Sequence, residues 1–121
     1  MPSLEDPALR PEPVVYEAGA TGPRLLVLGA VHGDERCGPA AIRRVVAEFA
    51  DGRRRLARGR VTFVPVTNVL AYRENRREGE RNLNRGLGPV AAPVVYEDHL
   101  ATWLCPLLAA HDVLVDLHSF R

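Results

Sequence analysis

Apolar positions along this chain follow two rhythms. Mostly unbroken apolar runs occur at residues 25–28 and 113–117, and a third at 61–66 is interrupted by Pro65. A proline there marks an edge or a strand end and leaves 61–64 as the strand proper. Residues 14–17 form a shorter candidate strand, closed by the turn-prone Gly19-Ala20-Thr21-Gly22. Elsewhere the spacing becomes helical. Ile42, Val45, Val46 and Phe49 fall at i, i+3, i+4 and i+7, with Arg43, Arg44 and Glu48 facing away and Asp51-Gly52 closing the segment. Leu100, Trp103, Leu104, Leu107 and Leu108 repeat the stripe, with Glu97 and Asp98 suited to a first helical turn and Pro106 expected to kink the helix. Runs without polar alternation, followed by glycine and a helix, belong to strands buried on both faces. The pattern therefore predicts an α/β fold: a mixed, largely parallel sheet containing 25–28, 61–64 and 113–117, flanked by helices near 40–50 and 97–110.

Residues 68–93 keep neither rhythm. They are rich in Arg, Asn, Glu and Gly, and read as a long loop with one short helix. Loops of that length inside a compact domain are usually functional.

The candidate chemistry lies where strands end. His32-Gly33-Asp34-Glu35 follows one predicted strand and precedes a helix, the position where ligands collect in open α/β sheets. A His and a Glu three positions apart in a turn can converge on one cation, and Gly33 permits the tight backbone. Asp116-Leu117-His118 ends another predicted strand and brings a second imidazole to the same sheet edge. Two histidines and one glutamate, His32, Glu35 and His118, are the ligand set of catalytic zinc sites that keep a position for water. Asp116, two residues before His118 on the same strand face, is placed to hold the imidazole's other N–H or another nearby group. Either motif alone is common by chance; their joint placement after two buried strands is what points to one zinc ion. His99 and His111 lack such a setting, one on a helix surface and the other at a helix C-terminus, where a cation suits the dipole.

Composition narrows the classes. Of 121 residues, 46% are hydrophobic and 26% charged, which suits one soluble globular domain. The formal net charge of +1 offers no global field for nucleic acid or membrane surfaces. No apolar stretch has the form of a signal peptide or a membrane span, so the cytoplasm is the simplest address. Two cysteines, Cys37 and Cys105, are too few for a disulfide framework and show no short ligand spacing.

The loop carries Arg77 and Leu83-Asn84-Arg85. From composition alone it reads as a solvated segment in which Glu74, Glu78 and Glu80 offset the arginines. An amide hydrolase, however, needs a cation beside the scissile carbonyl and a guanidinium fork for a substrate carboxylate. Taken in order, His32-Gly33-Asp34-Glu35, Asn68, Arg77, Leu83-Asn84-Arg85 and Asp116-Leu117-His118-Ser119 resemble the succinylglutamate desuccinylase/aspartoacylase family, relatives of the zinc carboxypeptidases. The resemblance implies zinc held by His32, Glu35 and His118, with Arg77 polarising the scissile carbonyl. It also implies Asn84 and Arg85 on the carboxylate of a small N-acyl amino acid substrate. Asn82 departs from the aspartate common in the family before the Leu-Asn-Arg triplet, and Asp34 from a common asparagine. Family members continue well past the third ligand, and no residue here matches their glutamate base. The expectation is thus the N-terminal part of a catalytic domain, inactive alone and with an apolar edge that leaves self-association open. A peptide-cleaving zinc carboxypeptidase and a metal-binding, non-catalytic fragment are the alternatives. Nucleic-acid binding ranks last, because only Tyr72 interleaves the arginines.

Overall fold

The computed structural model describes residues 1–120. Four strands form one sheet: β1 (Val14–Glu17), β2 (Arg24–Gly29), β3 (Arg60–Val64) and β4 (Val113–Leu117). Their spatial order is β1-β3-β2-β4, with β1 antiparallel to β3 and the other neighbours parallel. The mixed, largely parallel sheet agrees with the sequence reading. Pro65 lies one residue beyond β3, which is an interior strand, so the proline marks a strand end rather than an edge.

The two stripes form α1 (Cys37–Ala50) and, after the short α2 (Val69–Arg73), α3 (Tyr96–Ala109). Side-chain alternation along β2 assigns them to opposite faces. Val27 packs with Ile42 of α1 and with Val61 and Phe63, whereas Leu26 and Leu28 pack with Tyr96, Leu100 and Leu104 of α3. Leu26, Val64, Leu100 and Leu104 are fully buried, and each such side chain contributes roughly 1.5–3 kcal/mol of apolar burial. α3 continues through Pro106 to Ala109.

Two expectations need correction. β4 does not read as a buried strand, since Val113, Leu114 and Val115 are 49%, 46% and 38% exposed. Among the described residues it is the outermost strand and pairs with β2 alone, so its apolar residues lack the neighbours that cover β2. The long loop, in turn, is better anchored than its composition suggests, because Leu83 is fully buried in the α3-side core.

From β2 the chain crosses through α1 to β3 on one side, and from β3 through α3 to β4 on the other. The C-terminal end of β2 is therefore a topological switch point, where parallel sheets open a crevice.

Candidate metal centre

β2 ends at Gly29, and the next residue, Ala30, has φ of +49°, a left-handed conformation that costs a side-chain-bearing residue about 1–2 kcal/mol. The bend is held by Thr67 N–H donating to the Gly29 carbonyl and Asn68 N–H to the Ala30 carbonyl, both at 2.9 Å. It turns the chain so that His32 and Glu35 face one another across a tight turn, closed by Glu35 N–H donating to the His32 carbonyl. Gly33 is needed here for close approach. A Cβ on it would lie 2.2 Å from the Ala71 carbonyl carbon and 2.4 Å from the Tyr72 nitrogen, so no side chain fits between the turn and α2.

His32, Glu35 and His118 each offer an atom within 4.8 Å of the others. His32 Nδ1 is 2.7 Å from Glu35 Oε2, and His118 Nδ1 is 3.0 Å from Oε1. The two imidazoles meet edge to face at 5.1 Å. Glu35 is 8% exposed and also accepts the Ser119 backbone N–H at 2.8 Å. Burial opposes its charge, but the Ser119 N–H and the two imidazoles outweigh burial and lower its pKa. Burial likewise opposes charge on His118; the Asp116 and Glu35 carboxylates prevail and raise its pKa. The carboxylate thus meets both rings at once, one oxygen to each, as it would if the three shared a cation.

The remote ring nitrogens are also held. His118 Nε2 lies 2.9 Å from Asp116 Oδ2, and His32 Nε2 lies 2.8 Å from Asn82 Oδ1. With an acceptor on each Nε2, the proton of a neutral ring stays there and the Nδ1 lone pair is left for a metal. Two imidazole nitrogens and a carboxylate oxygen on one side, with outer acceptors behind them, is a donor set that fits zinc.

Sequence reasoning found Asp116 but missed two partners of this cluster. Asn82 stood out only as a departure from a motif, and the Ser119 N–H is a backbone group that no residue type signals. Arg77 reaches the cluster, with Nη1 3.6 Å from Glu35 Oε2, its side chain 56% exposed and its carbonyl accepting the Gly33 N–H. Asn84 and Arg85 are less engaged. Asn84 N–H donates to Asn82 Oδ1, and the exposed Arg85 guanidinium folds back on the Asn84 carbonyl. His111 bonds the Leu107 carbonyl and Thr62 Oγ1, a helix-end role away from the cluster. Both cysteines are free.

A cleft of about 480 Å³ opens on Glu35, lined by Asp34, Arg36, Cys37, Arg77, Ser119 and Phe120. A cleft of similar size beside Arg43, Tyr72 and Arg73 contains none of the cluster's residues. No helix among the described residues is long and apolar enough to cross a membrane.

Known proteins show the same arrangement of chain. The family model for the succinylglutamate desuccinylase/aspartoacylase catalytic domain matches residues 21–120. The N-alpha-acetyl-L-2,4-diaminobutyric acid deacetylase of Halomonas elongata is 32% identical over 115 residues, covering 88% of this chain and 31% of that protein. A crystal structure of an aspartoacylase family protein from Mesorhizobium loti superposes with a TM-score of 0.75 at 32% identity, over 88% of this chain and 34% of its own. A succinylglutamate desuccinylase from a Silicibacter species gives 0.76 at 32% identity, over 88% and 32%. This chain therefore spans about a third of the length of the relatives it matches. Over that third, sequence and fold agree, and the chain belongs to the succinylglutamate desuccinylase/aspartoacylase family.

Proposed function

We propose that this chain forms the metal-holding part of a zinc-dependent deacylase that hydrolyses the amide bond of small N-acyl amino acids. The observation that carries the reading is the convergence of His32, Glu35 and His118 at the switch point of the sheet, with the Arg77 guanidinium beside them. The Halomonas relative, named for removing an acetyl group from an acylated diamino acid, supports the substrate class.

In this reading His32, Glu35 and His118 would hold the ion, which when bound would supply Lewis acidity and lower the pKa of water toward ~7. Asn82 and Asp116 keep both rings aimed by accepting their Nε2 protons. Arg77, mostly solvent-exposed and only loosely paired with Glu35, is free to swing onto the substrate's acyl oxygen and stabilise the charge that develops there. Asn84 and Arg85 serve the substrate carboxylate, which requires Arg85 to leave the Asn84 carbonyl. Water adds across the amide, giving a carboxylate and a free amine, and the departing nitrogen must receive a proton. Glu35 and Asp116 are committed to the metal and to His118, so neither is available as that proton shuttle.

The test compares two polypeptides loaded with zinc, this chain and the longest product of its reading frame. Each is incubated with N-acetylaspartate, N-succinylglutamate and N-acetyldiaminobutyrate while free amine is followed. The longer product should release amine, and His32→Ala should abolish that release. This chain alone should be slower by roughly a hundred- to ten-thousand-fold, the usual worth of general acid–base help. Equal rates would place a base within these residues. Release of C-terminal residues from peptides, with no deacylation, would replace the reading with a carboxypeptidase.

A further inference from the structure

Glu97 takes no part in the site just described, and it is 0% exposed. A buried carboxylate is costly unless it is fully hydrogen-bonded, and no arginine or histidine is bonded to this one among the described contacts. Four N–H groups serve it instead. Oε2 accepts Asn68 Nδ2 and the Gly79 N–H, each at 2.8 Å; Oε1 accepts the Glu80 N–H at 2.9 Å and the Arg81 N–H at 3.1 Å. Three of the four donors are successive backbone amides of the arginine loop. The fourth belongs to Asn68, whose Oδ1 accepts the Ala71 N–H and so caps α2.

The loop fits closely around this carboxylate. A Cβ on Gly79 would sit 3.0 Å from Glu97 Oε2 and 2.8 Å from Leu70 Cδ2. From Arg81 the chain runs directly into Asn82, whose Oδ1 meets His32 Nε2. On its other side, Arg77 lends its carbonyl to Gly33 in the ligand turn. Glu97 therefore grips the loop midway between its two attachments to the candidate metal centre.

We infer that Glu97 is a positioning residue: through its grip on the amides of residues 79–81 it holds Asn82 on His32 and thereby sets the metal affinity of the centre. The inference rests on the zinc reading above. It assigns a role to a carboxylate that touches neither the metal ligands nor Arg77. Replacing one oxygen by an amide group turns an acceptor of two N–H groups into a donor facing them, with almost no change of shape. The loop then loses its seat while His32, Glu35 and His118 are all retained.

Glu97→Gln is compared with Leu104→Ala, which opens the same α3-side core but removes none of the four N–H contacts to the Glu97 carboxylate. Zinc affinity is measured by competition with a chromophoric chelator, and amide hydrogen exchange is followed at residues 79–82. In Glu97→Gln, zinc affinity should fall 10- to 100-fold, the usual effect of losing an outer partner of a ligating histidine. Exchange at 79–82 should accelerate on the order of 100-fold, as expected for buried hydrogen bonds lost. Leu104→Ala should lower the unfolding temperature and leave zinc affinity unchanged. Unchanged affinity in Glu97→Gln, or an equal loss in Leu104→Ala, would overturn the inference. Should Glu97→Gln fail to fold, Glu97→Asp, which keeps both oxygens but withdraws them by a methylene, is read by the same criteria. If the parent chain binds no zinc, the zinc reading fails by itself. Exchange at 79–82 then judges the grip on the loop, and unaltered exchange in Glu97→Gln would refute it.

Discussion

At the scale of single residues, the candidate metal centre depends on what stands behind its proposed ligands. Asn82 supplies His32 with a neutral acceptor, and the same oxygen takes the Asn84 N–H. Asn82→Ala should lower zinc affinity roughly 10- to 100-fold while leaving the fold intact, and Asn82→Asp should preserve or tighten binding. Chelator competition on both variants checks this; an unchanged affinity in Asn82→Ala would show that the contact has no hold on the ring. His32, Glu35, His118 and Asp116 are legible in the sequence because histidine is scarce, with four in the chain, and the carboxylates stand beside two of them at spacings that follow from strand and turn geometry. Asn82 was visible only as a motif departure, since its role arises when the loop folds back across fifty positions of chain. From its position alone Glu97 is an ordinary first-turn acid. A glutamate at a helix start looks the same in sequence whether it faces solvent or four N–H groups.

At the scale of elements, the start of α3 is held by charge. Asp98 accepts the Val94 and Val95 N–H groups and pairs with Arg81, and these contacts hold its carboxyl down to about 2. The folded pKa is below the ordinary value of 3.8, so the stabilisation is complete above that value and is lost as pH falls toward about 2. Protection factors for amide exchange at residues 94–98, which discount the slower intrinsic exchange in acid, should thus hold at pH 5 and fall between pH ~4 and ~2, and Asp98→Asn should flatten that dependence. The α2 contact makes a second prediction. Gly33→Ala forces a methyl into the Ala71 backbone and should destabilise the chain by about 3 kcal/mol in urea unfolding. A loss below about 1 kcal/mol would mean that α2 yields easily. The strands are legible as short apolar runs, and α1 and α3 as regular apolar stripes. The exposure of β4 was not, since burial depends on what lies beside a strand, and the buried anchor Leu83 looked like a lone apolar residue in a polar loop.

At the scale of the molecule, an open mixed sheet carries its chemistry at one edge and an uncovered apolar strand at its side. β4 presents Val113, Leu114 and Val115, and Phe120 beyond it is 99% exposed. An unpaired, apolar strand edge is a template for pairing. This chain should therefore associate with rising concentration in sedimentation experiments. Leu114→Lys, which sets a charge on that strand, should shift it toward monomer; concentration-independent sedimentation of the parent would count against an adhesive edge. The central claim is that His32, Glu35 and His118 hold one zinc ion. Calorimetric titration of the metal-free chain with zinc tests it most directly, alongside His32→Ala and His118→Ala. The account predicts one ion per chain, with each substitution weakening binding beyond the roughly 10- to 100-fold expected of an outer partner. Absence of a stoichiometric site, or zinc bound equally well by both variants, would contradict it.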